Sequence, residues 1–209
     1  TLVRRLETNL FDANSIPLHK RATIKSTSDK AFSFSIKRNH LPDNIPDDWI
    51  VDEAGDGVIV SVRGDLDLLF NDTRSSRVLA AGQLPSGFEP EKLYQSRNHP
   101  RGLQLTVFGA SDALNSLGIH WDEVRRRVPA DQISVYASSA MGQLDTNGSG
   151  GLLQAGLMGK RVSSKNLPLG LAEMTADFVN AYILGNMGTT GANIGACATF
   201  LYNLRQGIQ

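Results

Sequence analysis

The chain has 209 residues, 41 % of them apolar, with 21 basic and 21 acidic side chains and a formal charge of zero. That apolar content suffices for one good-sized globular core, and the neutral balance argues against nucleic-acid binding dominated by phosphate neutralisation, so an electrostatic partner must be met by a local patch. No stretch approaches the roughly 18 consecutive apolar residues of a membrane span, and the start Thr1-Leu2-Val3-Arg4-Arg5 lacks the apolar core of a signal peptide.

In chain order, Thr1 to Leu10 reads as a possible short helix. Phe32, Phe34 and Ile36 then alternate with Ser33, Ser35 and Lys37, and Val58, Val60 and Val62 alternate with Ile59, Ser61 and Arg63, as half-buried strands do. Turn signals frame them at Ser28-Asp29, Pro42-Asp43, Asp56-Gly57 and Gly64-Asp65. Pro85-Ser86-Gly87 and Pro90 read as a connecting loop, and the pattern changes near residue 95. The expected organisation is therefore a β-rich accessory segment over 1–95 and a second domain over 96–209.

Beyond that boundary the period becomes helical. Leu103, Val107, Ala110, Leu114 and Leu117 share one face, predicting a buried helix that Gly118 stops. A β-branched apolar strand follows at Ile133 to Ala137, then a loop of small residues, Ser138-Ser139-Ala140-Met141-Gly142. Gly159 reads as a helix stop before Lys160-Arg161. Thr175 is the expected cap of a helix over Ala176 to Leu184, with Gly185 just past its end. Strand, helix and strand in this order imply an α/β sheet sandwiched by helices. Arg125-Arg126-Arg127 fits a solvated helix face near Pro129.

The single cysteine, Cys197, closes a strand-like run, Thr189 to Gly195, that breaks into a helix-like one. At a strand-to-helix corner a side chain stands clear of the sheet, and the following helix aims its free N–H groups and positive dipole end at the sulfur. Helix N-termini favour the reactive thiolate, so Cys197 is the candidate nucleophile; the alternative is a small buried hydrophobe. One cysteine allows no internal disulfide and fits a reducing cytoplasm. With no Cys/His cluster at ligand spacing, no metal is expected.

The stretch Gly195-Ala196-Cys197-Ala198-Thr199 resembles the active-site segment of the β-ketoacyl-[acyl-carrier-protein] synthases, the decarboxylating condensing enzymes of fatty-acid and polyketide synthesis. The upstream order of helix, strand, small-residue loop, helix and cysteine strand is similar to the first half of a condensing-enzyme core, over about Pro100 to Gln209. Residues 1–95 look like the extra segment of a long-form bacterial synthase that starts fatty-acid chains. The resemblance implies the first half of a duplicated, thiolase-like layered αβαβα fold with a β-rich N-terminal insertion. It also implies that the catalytic histidines and a supporting lysine lie downstream, in the remaining C-terminal half of a larger enzyme. The histidines present, His19, His40, His99 and His120, all precede Cys197 and are expected at the surface or as caps.

By the same resemblance Cys197 would carry the acyl group, and its own N–H would be one oxyanion donor. Ala140, Met141 and Gly142 would line the acyl pocket, where a bulky Met141 would favour a short primer such as acetyl; otherwise Met141 merely fills a core gap. The serines of that loop replace family glycines, which leaves the pocket shape open. Lys160 and Arg161 would receive the acidic acyl carrier protein, or are an ordinary solvated pair. Asn193 and Ile194 would lie at a homodimer interface, or belong to an internal strand. Phe200 and Tyr202 are expected in the core, with acyl contact as the alternative, and the Thr199 hydroxyl is expected to set the corner by a local backbone bond.

The implied reaction is decarboxylative condensation of an acyl primer, from acetyl-coenzyme A, with malonyl-acyl carrier protein, in the cytoplasm and without a cofactor. The competing readings are a thiolase-type acyltransferase, which condenses without decarboxylation, and a non-catalytic partner subunit resembling a chain-length factor. Cys197 argues against the partner subunit, because such partners typically lack the nucleophile. A fragment without the downstream histidines should not condense anything unaided.

Overall fold

The structure, a computed structural model, describes residues 2–9, 11–26 and 31–209. Its internal contacts divide into two compact units, Thr1–Ser86 and Gly87–Gln209. The turn expected at Ser28-Asp29 lies outside the described residues.

The first unit is built from antiparallel strands. β1 (Val3–Arg5) pairs with β7 (Ala80–Gly82), and β2 (Ile16–Ile24) pairs along its whole length with β6 (Leu66–Arg74). β3 (Phe32–Lys37) and β4 (Trp49–Ala54) flank β5 (Gly57–Val62) in a three-stranded sheet. A strand thus stands where a short helix was expected at the N-terminus: Val3 to Arg5 satisfy their backbone groups across to β7. The alternation in β3 and β5 is realised, with Val58, Val60 and Val62 each at most 1 % exposed. Phe34, Ile36, Trp49 and Val51 close over those valines, and the Phe34 and Trp49 rings meet edge to face at 5.7 Å. The β4–β5 connection is the two-residue turn Gly55-Asp56, where Gly55 adopts φ +58°, a conformation that favours glycine.

Opposite charges pair across the exposed β2–β6 ribbon and at its end. Lys20 pairs with Asp72, Arg21 with Asp67 at 2.6 Å, and Lys25 with Asp65 at 2.8 Å. The Asp67 carboxyl is held below its ordinary range first by the Thr23 hydroxyl and then by Arg21. Exposed pairs of this kind contribute little to stability and serve mainly to disfavour edge-to-edge association.

The second unit opens with a 3₁₀ turn, Pro90–Lys92, of which Pro90 is buried, and the helix α1 (Arg101–Ser116). The apolar face of α1 is buried at Leu103 (0 % exposed) and Val107 (4 %), but Leu117, its C-cap, is 65 % exposed, so the expected buried helix is buried only over its first half. Gly118 ends it at φ +70°. α2 (Trp121–Arg127) carries the three arginines on an exposed last turn, as expected, and is anchored by Trp121 Nε1–H donating to the Leu184 carbonyl at 3.2 Å.

β8 (Val135–Tyr136) pairs in parallel with β9 (Thr190–Gly191), each shorter than the run from which it was expected. Between them lie α3 (Ser149–Ala155), α4 (Asn166–Gly170) and α5 (Met174–Val179), the long crossover a parallel pair requires. α5 starts before the predicted Ala176, so Thr175 lies inside the helix instead of capping it. Its hydroxyl is buried and donates to the Ala172 carbonyl at 3.3 Å. The remainder of the predicted helix, Asn180–Leu184, is π-helical and closes on the Asn180 carbonyl, which accepts the Gly185 N–H at 2.8 Å. α6 (Thr199–Ile208) ends the chain's regular structure.

Val60, fully enclosed at the centre of its sheet, sets the stability of the first unit. Val60→Ala is expected to cost about 2 to 3 kcal/mol by urea titration, whereas Ile59→Ala on the exposed face of β5 should cost well under about 1 kcal/mol.

Candidate functional site

After β9 the chain runs through Ala192 to Gly195 without regular structure and then enters a 3₁₀ turn. The expected strand to Gly195 is therefore a two-residue strand followed by a segment held by side chains. Ala196 adopts φ +48°, a strained conformation for a residue with a Cβ. Ala196–Ala198 form one 3₁₀ turn, and Thr199 opens α6. Cys197 is exposed within that turn, so the reading of a small buried hydrophobe is set aside.

Thr199 sets this corner. Its buried hydroxyl donates to the Ala196 carbonyl at 2.7 Å and accepts the Gly195 N–H at 3.1 Å, bracketing the strained residue from both sides. One turn further along α6, Asn203 (6 % exposed) faces the same way. Its Oδ1 accepts the Asn193 N–H at 2.9 Å, and its Nδ2 donates to the Asn193 carbonyl, also at 2.9 Å. Nδ2 also lies 2.7 Å from the Ser138 Oγ and 2.9 Å from the Thr199 carbonyl, so its two hydrogens are shared among three acceptors, while the Ser138 hydroxyl donates to the Asn193 carbonyl.

These bonds bring the Ser138–Gly142 loop to the cysteine segment. The serines standing where the family has glycines are used: Ser138 as above, and Ser139 through its N–H to Ala172 (2.9 Å) and its hydroxyl to Gly142 (3.2 Å). Gly142 adopts φ +71°, and a Cβ there would lie 2.4 Å from the Gly170 carbonyl oxygen, so the position demands glycine. Met141 is 71 % exposed, and Ala140 is also exposed. Ile194 is 57 % exposed, whereas Asn193 is half-buried with both backbone polar groups taken up by Asn203. Lys160 and Arg161 are exposed beyond α3, after Gly159 at φ +60°; among the described residues no hydrogen bond ties them to the cysteine corner.

Two expectations about the surroundings change. Phe200 and Tyr202 are not core residues: they are 72 % and 50 % exposed, because the inward face of α6 is taken by Thr199 and Asn203. A Cβ on Gly195 would lie 1.9 Å from the Tyr202 ring, so glycine makes room for that ring beside the corner. His99 is half-buried and caps no helix. Its ring packs against Tyr94, Phe178 and Tyr182 at 4.9 to 5.8 Å, with the Tyr94 hydroxyl 3.2 Å from Nδ1 and the Tyr182 hydroxyl 3.5 Å from Nε2. Burial lowers the His99 pKa and, with Tyr182, pushes the Tyr94 hydroxyl up to about 12. His19 and His40 are exposed, and His120 takes the N-cap position of α2, as expected.

Sequence reading did not find Asn203. The available signal was an asparagine four residues after Thr199, a spacing that puts both polar groups on one helix face.

Two outcomes follow for this region. Thr199→Val leaves the Gly195 N–H and the Ala196 carbonyl without their partner and is expected to destabilise the second unit by about 1–3 kcal/mol, while Thr199→Ser retains most of the stability; urea titration followed by Trp121 fluorescence distinguishes them. Because the folded state favours neutral His99, the unfolded chain binds the extra proton first as pH falls below the ordinary histidine range, near about 6.5. Stability from this cluster is therefore present at neutral pH and lost as pH falls below the ordinary histidine pKa of about 6.5, and His99→Gln should flatten that decline in a pH series of the same titrations.

No family model matches the chain. It is 47 % identical over all 209 residues to a β-ketoacyl-[acyl-carrier-protein] synthase, FabY, of Pseudomonas aeruginosa. It superposes on the crystal structure of the noncanonical ketosynthase FabY from P. aeruginosa with a TM-score of 0.91, at 46 % identity and over 100 % of its length. The chain spans about a third of each relative, 33 %, and the match takes in the β-rich unit as well as the cysteine-bearing one. Mixed helix and strand content and this superposition give the fold as that of a ketosynthase segment. Along its whole length, then, this chain is related to one third of a β-ketoacyl-[acyl-carrier-protein] synthase.

Proposed function

We propose that the chain is the cysteine-bearing portion of a β-ketoacyl-[acyl-carrier-protein] synthase that condenses a short acyl primer with malonyl-acyl carrier protein in fatty-acid biosynthesis. The observation that carries this reading is an exposed, single cysteine on a fixed strained corner at the start of a helix, in a sequence 47 % identical throughout to such a synthase.

The Cys197 thiolate attacks the thioester carbonyl of acetyl-coenzyme A; a carbon–sulfur bond forms, the bond to the coenzyme A sulfur breaks, and coenzyme A leaves as the thiolate, which takes a proton from water. Malonyl-acyl carrier protein then loses carbon dioxide, and its enolate carbon attacks the acyl-cysteine carbonyl. A carbon–carbon bond forms and the cysteine sulfur is released. Covalent catalysis divides the reaction into two easier steps. Each passes through an oxyanion that needs preorganised N–H donors. The first N–H groups of a helical turn have no partner within it, which makes the Cys197 N–H one such donor. The second donor and the histidines that stabilise the enolate come from the remaining C-terminal half of the synthase. The co-reactants are thioesters, and no cofactor takes part.

In this reading the architecture is the first half of a duplicated thiolase-like αβαβα fold, with the β-rich segment as an N-terminal insertion. Met141 with Ala140 and Gly142 borders the acyl site, and the fixed Gly142 backbone supports that role. Met141, exposed here, limits acyl length when a further surface closes over it. Lys160 and Arg161, both exposed, receive the acidic carrier protein. The enzyme works as a homodimer in the cytoplasm. Asn193 and Ile194 are its interface residues, with Ile194 contributing an exposed apolar side chain.

Full-length protein and its Cys197→Ala variant, incubated with acetyl-coenzyme A and with longer acyl thioesters and then weighed by mass spectrometry, test the proposal. An acetyl adduct of the cysteine-containing protein alone is the expected result. Loading only by long chains would overturn the role of Met141, and no loading at all would favour the non-catalytic partner subunit.

A further inference from the structure

We propose that Asn203 is a positioning residue that couples the Ser138–Gly142 loop to the nucleophile, so that the acyl-binding loop and Cys197 move as one unit; this rests on the condensing reading above. The Asn203 side-chain amide meets the Asn193 peptide as a neighbouring strand would, one N–H accepted and one donated, each at 2.9 Å. It therefore replaces the ladder that ends with β9 at Gly191 and fixes the path of the four residues leading to the corner. The same Nδ2 reaches the Ser138 Oγ at 2.7 Å, and the Ser138 hydroxyl returns to the Asn193 carbonyl. Loop, connecting segment and helix thus share one closed set of part-buried bonds, and burial makes an unpaired group costlier.

Neither Asn203 nor Ser138 is placed to touch a reacting atom; both act through backbone they hold. Misplacement of a catalytic group by about 1 Å costs on the order of a hundred-fold in rate, which sets the expected effect. Asn203→Asp keeps the acceptor for the Asn193 N–H but removes every donated bond. Ser138→Ala removes only the link to the loop.

In the full-length protein, the rate of acetyl transfer from acetyl-coenzyme A to Cys197 is expected to fall about a hundred-fold in Asn203→Asp and about ten-fold in Ser138→Ala. In both variants the ratio of acetyl to octanoyl loading should change. The double variant should be no slower than Asn203→Asp alone, because the two residues form one unit. Losses that multiply, or an unchanged acyl-length ratio, would overturn the proposal, since a merely structural role lowers stability without altering that ratio. If Asn203→Asp does not fold, Ser138→Ala decides alone, and wild-type loading by it sinks the idea. If the wild-type protein takes no acyl group, the condensing reading fails separately. The alkylation rate of Cys197 by iodoacetamide then decides: a change of ten-fold or more in Asn203→Asp or Ser138→Ala supports positioning, and equal rates refute it.

Discussion

The region around Cys197 depends on a side chain standing in for a strand. Parallel pairing between β8 and β9 stops at Gly191, yet the chain must run on to the cysteine without leaving its peptide groups unpaired. Asn203 supplies both bonds to the Asn193 peptide, and Thr199 supplies the Gly195 N–H and the Ala196 carbonyl. Between them they hold Ala196 at φ +48° and leave Cys197 exposed in the turn that opens α6. A strained residue persists only where its surroundings over-determine it, and here the determining groups come from the helix that follows.

That arrangement spends the inward face of α6 on polar groups. Its apolar residues Phe200, Leu201, Tyr202 and Ile208 are correspondingly exposed, at 50 % or more. The core of the second unit lies elsewhere, where Leu103 and Val107 of α1 meet Phe178 of α5 and the aromatic cluster around His99. The π-helical turn Asn180–Leu184 presents Tyr182 to that cluster, and the Asn180 side chain accepts the Asn186 N–H at 2.9 Å beyond it. The first unit is built on a different principle, an antiparallel core of Val58, Val60, Val62 and Leu66 with its own register.

What was legible in the sequence was what periodicity encodes. Phe32 to Lys37 and Val58 to Val62 alternate cleanly and form β3 and β5, and the spacing from Leu103 to Leu114 gives α1 with Gly118 as its stop. The corner residue and the local role of Thr199 were legible from the abrupt change of pattern at Gly195. The parts that were not legible are those where tertiary partners decide. Val3 to Arg5 are too short a run to signal a strand until β7 lies beside them. Thr175 looks like a cap, but buried packing carries the helix past it toward the N-terminus. His99 has no periodic context and becomes an aromatic-cluster residue only because Tyr94, Phe178 and Tyr182 converge on it. Asn203 falls in the same class: its partners outside its own helix are 10 and 65 positions away along the chain.

The central claim is that side chains of α6, not a continuing strand, fix the segment that carries the nucleophile. Hydrogen–deuterium exchange at the Asn193 and Gly195 amides of the full-length protein tests it most directly. The account predicts exchange slowed by at least about a hundred-fold relative to an unstructured peptide, in keeping with groups that open only by local unfolding. Exchange at the free-peptide rate would mean that the corner is not held, and that the geometry around Cys197 has another origin.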